Sequence, residues 1–355
     1  MKPNLKSIET SEEEKILLGI IRQLETFPND HETNEYILSG EKKVRTTTER
    51  LTAVSARRLK AQQNNCPKFL ESLVQKKLLV YENEIFSLTD SGRNIGKKIV
   101  AKWSNEFYGD ILIRSGNSKA HALFCERVYG KNLCQFNVMD MEQLEAMLDA
   151  LNLQSDEYVL DLGCGLGKVD EYISTKTGAR VLGVDFSKEA IYWAQEHTKS
   201  VNDKLTFQVG NINELSFPPS TFDVIVSIDT LYDWHVYDLN ATIKKIKEIL
   251  KPKGQIGIFA GQFRAPNEPL ELLEPYSTKM AKILTANGMS FNIIDFTENS
   301  LNLWNRELSA AQELREMFEK EGNLDLFEER IEDSKQTKQL IKNKQQKRYF
   351  YHVQL

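Results

Sequence analysis

Val159-Leu160-Asp161-Leu162-Gly163-Cys164-Gly165-Leu166-Gly167, with Asp185 eighteen residues further on, is the stretch that decides the fold. It reads as a short apolar strand that runs into a glycine turn and then a helix. Three glycines at alternate positions let the backbone turn sharply and approach a ligand more closely than any Cβ would allow. Asp185 ends the next strand, Val181-Leu182-Gly183-Val184-Asp185, where a carboxylate can accept hydrogen bonds from a ribose diol. The spacing is G-x-G-x-G, not the G-x-G-x-x-G of dinucleotide enzymes, and no Gly-Lys-Ser/Thr follows to hold phosphates and Mg²⁺. A nucleoside carrying an amino-acid tail fits this pattern better than a pyrophosphate.

Around this stretch, strands at 158–162, 181–185, 205–209, 222–228 and 255–260 alternate with helices near 168–176, 187–200 and 237–250. Such alternation predicts right-handed crossovers and a doubly wound, largely parallel α/β sheet. A helical approach from Ser118 ends at Tyr129-Gly130, and residues 139–151 form an amphipathic helix ahead of the first strand. Residues 278–287 read as a further helix and 291–296 as a sixth strand. The highly charged stretch 299–346 is helical, and 348–354 reads as a final strand.

The glycine segment resembles the first motif of class I S-adenosylmethionine (SAM) methyltransferases, and four further pieces recur in that family's order. Asp185 falls at the ribose-binding acid, Gly210-Asn211-Ile212 at the adenine clasp, and Phe222 to Asp229 at the fourth strand and its active-site end. Leu250-Lys251-Pro252-Lys253-Gly254-Gln255 resembles the turn before strand five, with Lys253 in place of a glycine. The resemblance implies a Rossmann-like sheet closed by an antiparallel hairpin, with 299–346 as a helical lid beside the substrate mouth. It implies SAM as cofactor, held by Asp161, Gly163, Cys164, Gly165 and Gly167, by Asp185 and Phe186, by Asn211 and Ile212, and by Asp229. In the residues themselves, Asn211 offers an amide oxygen to the adenine amino group, and Cys164 reads as a small packing residue rather than a nucleophile.

Ser227-Ile228-Asp229-Thr230-Leu231-Tyr232-Asp233-Trp234-His235 leaves the carboxyl end of strand four, where doubly wound sheets place their ligands. It resembles two groups of methyltransferases at once. Winged-helix O-methyltransferases carry Leu-His-Asp-Trp here, against Leu231-Tyr232-Asp233-Trp234. Phosphoethanolamine-type N-methyltransferases carry an Asp, three residues and a histidine; Asp229 matches, but Asp233 holds the histidine position. The upstream Glu126-Arg127-Val128-Tyr129-Gly130 is similar to the tyrosine-containing segment of the second group. Neither catalytic set transfers whole. Methyl transfer asks mainly for in-line alignment and removal of one proton. Tyr129, Tyr232 and His235 are the candidates to orient or deprotonate the acceptor, with Asp229 and Asp233 complementing an ammonium group. Trp234, Tyr237 and Trp304 could offer ring faces to a cation, or simply pack the insertion onto the sheet.

The chain has 355 residues and a net charge of −5, and thirteen basic against six acidic residues lie between Glu41 and Val100. A basic block of this kind suggests a separate module. Its helices at 12–24, 48–59 and 67–79, a hairpin at 79–88 and a linker helix at 95–103 have the pattern of a winged helix. Domains are therefore expected at 1–105 and 106–355. Arg57, Arg58, Lys60, Lys68, Lys76 and Lys77 could meet DNA phosphates, but few donors lie near the start of the recognition helix. A scaffold role, in homodimer contacts and roofing of the substrate pocket, is favoured. Four cysteines without a Cys-x-x-Cys pair read as reduced thiols in a cytoplasm, and five scattered histidines argue against a metal site. No apolar run approaches the ~20 residues that cross a bilayer. The expected function is methyl transfer from SAM to a small-molecule acceptor, an amine nitrogen before oxygen or sulfur. The alternatives are a nucleic-acid methyltransferase, against which strand four lacks Asn/Asp-Pro-Pro-Tyr/Phe, and a SAM-responsive DNA-binding regulator.

Overall fold

The computed structural model describes residues 8–26, 46–59, 64–198, 203–232, 236 and 238–355. The chain divides into two compact units between Glu106 and Phe107.

In the first unit, α1 (Glu12–Thr26), α2 (Thr48–Leu59) and α3 (Cys66–Gln75) precede a two-stranded hairpin of β1 (Leu79–Glu82) and β2 (Ile85–Leu88). Leu17, Leu18 and Ile21 of α1 share a core with Leu51, Leu70, Leu73 and Phe86. Glu14 is buried in this unit, which requires a partner for its charge. Lys76 Nζ lies 2.7 Å away and Ser72 Oγ donates to it at 2.6 Å. The helix expected at 67–79 stops at Gln75, because Leu79 is already paired with Leu88 across the hairpin. The helix expected at 95–103 is α4, which runs from Asp90 to Asn117 across the boundary between the units. Its glycines hide it from propensity. At Gly96 a Cβ would stand 2.7 Å from the Leu18 carbonyl oxygen, so close approach explains the glycine. The side chains of Arg57 and Arg58, and all of Lys60, lie outside the described residues.

The second unit continues with α5 (Lys119–Tyr129) and α6 (Met141–Leu151), capped by Ser118 and Asp140 through bonds from His121 N–H and Gln143 N–H. Then β3 (Tyr158–Leu162), α7 (Lys168–Thr177), β4 (Arg180–Asp185), α8 (Lys188–Thr198), β5 (Leu205–Val209), β6 (Phe222–Ile228), α9 (Leu239–Ile249) and β7 (Leu250–Phe263) follow. After α10 (Lys279–Ala286) come β8 (Ser290–Asp295), α11 (Thr297–Lys320), α12 (Leu324–Lys342) and β9 (Gln346–Gln354). The sheet order is β5-β4-β3-β6-β7-β9-β8, with β9 antiparallel to both its neighbours and the other pairings parallel. Leu160, Leu182, Ile225 and Ile256 pack on one face, and Val159, Val181, Val224 and Val226 on the other. Burial on both faces explains strands that are apolar throughout. The order reverses between β3 and β6, so the carboxyl ends of these two strands flank a crevice where such sheets bind ligands.

The strand expected at 255–260 is longer, from Leu250 to Phe263, because it pairs with β9 along its length from Gln255↔Gln354 to Phe263↔Gln346. In the turn before that pairing, Lys253 takes φ +68, the left-handed conformation glycine adopts without strain. The helical stretch expected at 299–346 is the pair α11 and α12, inserted between β8 and β9. It packs on α5: Phe124, Val128 and Tyr129 meet Leu303, Ala311, Leu314 and Phe318 in one buried cluster.

Candidate active site

Gly163, Gly165 and Gly167 all have positive φ, at +90°, +52° and +70°. The three differ in what surrounds them. A Cβ on Gly163 would lie 2.3 Å from Thr230 Oγ1, and one on Gly167 would lie 2.4 Å from the Phe207 ring. A Cβ on Gly165 would meet nothing nearer than Leu112 at 3.9 Å. The middle glycine thus faces open space, while the outer two are held by the protein. Asp185 closes the loop: its Oδ2 accepts from Gly165 N–H at 3.0 Å and its Oδ1 from Ser187 N–H at 2.9 Å. The cap of α8 is Ser187, whose hydroxyl accepts from Ala190 N–H, so Asp185 is not the capping residue. Burial raises the Asp185 carboxyl above its usual range, against three backbone donors that lower it. A backbone cradle open at one glycine, beside a carboxylate with spare lone pairs, fits the nucleoside and methionine portions of SAM.

Beneath the loop, Asp161 (β3) and Asp170 (α7) are buried, and their carboxyl groups face each other. Asp161 Oδ1 and both Asp170 oxygens have no hydrogen-bond donor. Burial pushes the Asp161 carboxyl up to about 6 and the Asp170 carboxyl well above the ordinary range, with Asp161 and Asp185 adding repulsion at Asp170. Gly183, paired with Asp161 across the sheet, makes room: a Cβ there would lie 2.5 Å from Asp170 Oδ2. Cys164 beside them is buried, and its thiol is raised far above a reactive range, as a packing residue should be.

On the other side of the crevice, Asp229 follows β6 with φ +55. Arg348 Nη1 and Nη2 donate to its two oxygens at 2.6 and 2.9 Å, Val138 N–H donates at 2.9 Å, and Tyr232 O–H donates at 2.8 Å. Both side chains of the ion pair are buried. Arg348 Nε donates to Gln143 Oε1 at 2.7 Å, and the Tyr232 oxygen accepts from Gly261 N–H at 3.0 Å. This changes the expected role of Asp229. Its charge is matched by a guanidinium, so it frames the site and offers no uncompensated negative potential to an ammonium group. Tyr232 likewise donates its proton to Asp229, and burial together with that carboxylate raises the phenol further. It cannot serve as a general base. Sequence reasoning missed Arg348, although a cation directly before Tyr349, Phe350 and Tyr351 in a strand was a signal that a carboxylate could lie opposite.

Tyr129 lies buried in the helical cluster with Phe124 and Phe318; burial raises its phenol well above the usual value, and the Asp229 carboxylate adds to that rise. Trp304 is buried in the same cluster, so it packs the insertion. The Asn211 oxygen accepts from Asn213 N–H and Nδ2 at 2.9 and 3.0 Å, so it holds a turn of its own. Ile212 packs against the sheet core. The helix expected near Tyr237 is capped by Asp238, which accepts from Ala241 N–H. Asp233, Trp234, His235 and Tyr237 lie outside the described residues.

Beside Asp185, the expected cofactor residue Phe186 stands with two aromatic residues that sequence reasoning did not single out, Tyr108 and Phe136. Tyr108 of α4 lies edge-on to Phe186 at 6.2 Å and to Phe136 at 6.4 Å between ring centroids. Burial raises its phenol, and the carboxylates of Glu329, Asp333 and Asp185 raise it further. Arg330 of α12 lies 4.2 Å over the Phe136 ring and 3.2 Å from Glu307 of α11 in a buried ion pair. Burial lifts the Glu307 carboxyl to about 7 despite that partner. The α11–α12 insertion therefore brings charged groups close to the cofactor end of the sheet.

A methyltransferase domain model matches residues 159–254. The chain is 29% identical to phosphoethanolamine N-methyltransferase 3 of Arabidopsis thaliana over 204 residues, 54% of this chain and 41% of that protein. It is 30% identical to phosphoethanolamine N-methyltransferase of Plasmodium falciparum (isolate 3D7) over 131 residues, 37% and 48% of the two chains. It thus spans about two-fifths of the length of the plant relatives it matches. Among solved structures, Haemonchus contortus phosphoethanolamine N-methyltransferase 2 with phosphomonomethylethanolamine and S-adenosylhomocysteine aligns with a TM-score of 0.58. That match has 20% identity over 70% of this chain and 60% of the other, a likeness of fold. The sheet order, the glycine cradle and these likenesses agree: the chain carries a class I methyltransferase domain, the family whose cofactor is SAM.

Proposed function

We propose that this chain transfers the methyl group of SAM to the nitrogen of a small-molecule amine. The observation that carries the reading is the cradle open only at Gly165 and closed by Asp185. SAM supplies an activated methyl group on a sulfonium, so the protein's part is alignment, exclusion of water and acceptance of one proton. The Asp229–Arg348–Tyr232 frame holds the far wall of the crevice rigid. Glu329 and Asp333 act on Tyr108 against the Arg330 cation that they also stabilise, and the Tyr108 and Phe186 rings supply apolar faces suited to a cation. An acceptor amine reacts as the free base, so turnover rises with pH until that proton is lost.

The names of the relatives make phosphoethanolamine the first acceptor to test. Incubation with isotopically methyl-labelled SAM and a panel of amines, alcohols and thiols, read by mass spectrometry, should place the label on an amine. Label on oxygen or sulfur would overturn the choice of nitrogen.

The three helices and hairpin of the first unit are proposed to be a winged helix that serves as a scaffold and self-association surface, and α11–α12 to be a lid over the acceptor. Lys76, one of the cations available to a phosphate, is engaged by Glu14, and α3 exposes Glu71 beside Lys68. Both facts favour a scaffold over a nucleic-acid reader. Sedimentation at several protein concentrations should reveal a dimer. Tight DNA binding that weakens steeply with salt would reverse the assignment.

A further inference from the structure

Asp161, which the family resemblance places at the cofactor, shares a buried site below the glycine loop with Asp170, to which the reading above gives no part. Asp161 and Asp170 are 3% and 0% exposed, and three of their oxygens lack a donor. Two facing carboxylates deprived of water and of donors cannot both stay ionised; one shared proton supplies the hydrogen bond that the protein does not. The groups around the pair come from every neighbouring element. Asp161 comes from β3, Asp185 from β4 and the neutral Cys164 thiol from the loop, while β5 contributes the Phe207 ring. The charged groups acting on Asp170 are Asp161 and Asp185, both acidic. Asp185 has backbone donors to stabilise its charge; Asp161 Oδ1 and both Asp170 oxygens have none.

We propose that Asp170, through the proton it shares with Asp161, sets the preference of the loop for the cationic cofactor over its neutral product. This rests on the reading that the loop holds SAM. SAM carries a carboxylate, an ammonium and a sulfonium, a net charge of +1. S-adenosylhomocysteine has lost the methyl group and with it the sulfonium charge. Arrival of the extra positive charge above the loop stabilises the doubly ionised pair, so the shared proton leaves to solvent. The neutral thioether exerts no such pull, and the pair keeps its proton. Binding of SAM therefore strengthens as pH rises through the titration of the pair, while binding of the product changes little. The ratio of the two affinities climbs by up to about tenfold per pH unit in that range. In turnover, conversion of the sulfonium to the thioether brings the proton back and weakens the hold on the product.

Calorimetry of the full chain in buffers of differing ionisation enthalpy measures protons released on binding. SAM should release more protons than S-adenosylhomocysteine near neutral pH, and Asp170→Asn should bind both ligands with the difference erased. Equal release by the two ligands in the wild type, or an undiminished difference in the variant, overturns the proposal. Should the variant not fold, infrared difference spectra of the wild type decide. The carbonyl stretch of a protonated carboxyl group should disappear with SAM and persist with S-adenosylhomocysteine; the same response to both overturns it. Failure of the wild type to bind either ligand would sink the cofactor reading itself, an outcome distinct from binding without a proton difference.

Discussion

Two sets of carboxylates stand at the carboxyl edge of one sheet, and they are built on opposite plans. Asp229 is saturated: a forked guanidinium, a backbone N–H and a phenol all donate to it. Asp161 and Asp170, beneath the neighbouring strand end, have each other and little else. A saturated carboxylate is fixed in charge and position, and so suits a wall. A starved pair answers to any charge that arrives nearby. Proximity to the crevice is thus a poor guide to which acid responds to a ligand; the inventory of donors is a better one.

The comparison breaks most completely at the loop between them. Gly165→Val should abolish SAM binding in calorimetry; the side chain meets no neighbour, but φ +52 strains any residue other than glycine, so the melting temperature should fall as well. Gly163→Val drives the same side chain into Thr230 and should cost the fold itself. Retained binding by a folded Gly165→Val protein would remove the cradle from the argument.

Next in size is Arg348→Met, which leaves Asp229 buried without its cation and should destabilise by about 3–5 kcal/mol. Denaturant titrations should show that deficit in full. Stability equal to that of the wild type would mean that the guanidinium is not what compensates the buried Asp229 carboxylate.

Asp170→Asn should act in the opposite direction. The folded Asp170 carboxyl lies above its unfolded value, so its contribution is full below that unfolded value and is lost as pH rises through the folded one. The variant should therefore gain stability relative to wild type with rising pH, by at most about 1.4 kcal/mol per pH unit. Parallel stability curves for the two proteins would contradict the shared proton.

The smallest effect belongs to Tyr232→Phe, which removes one donor from a carboxylate that has others. A loss of about 1 kcal/mol is expected in stability, with turnover reduced roughly tenfold through a less rigid wall. Complete loss of turnover in a well-folded variant would make the phenol an essential group.

Much of the α/β unit is legible in the chain because its signals are local. Apolar strands buried on both faces, glycines that need positive φ and the order of the five motif pieces all lie within short windows. What escaped depends on partners far away in sequence. Asp170 reads as an ordinary acid in the first turn of a helix, favoured by the helix dipole; only Gly183 on the next strand shows that it is sealed in. Arg348 was assigned to the last strand, yet its carboxylate partner lies 119 positions earlier. The burial of Tyr129 is not legible locally because the insertion that covers it begins at Thr297. Helix α4 was shortened because its glycines, needed for close packing, look like breaks.

The insertion between β8 and β9 looks like a cassette, since it leaves and re-enters the sheet at adjoining strands. The structure denies it that independence. Arg306 donates to the Val128 carbonyl, Glu313 pairs with Arg127, and Glu321 accepts from Ser118 Oγ and from the first backbone amides of α5. Residues 118–129 and 297–342 are thus one packing unit split across the chain. A hybrid that exchanged residues 297–342 alone would expose Phe124 and Val128 and take the Glu321 carboxylate away from the first amides of α5. Anyone grafting a new acceptor pocket onto this sheet must move both pieces together.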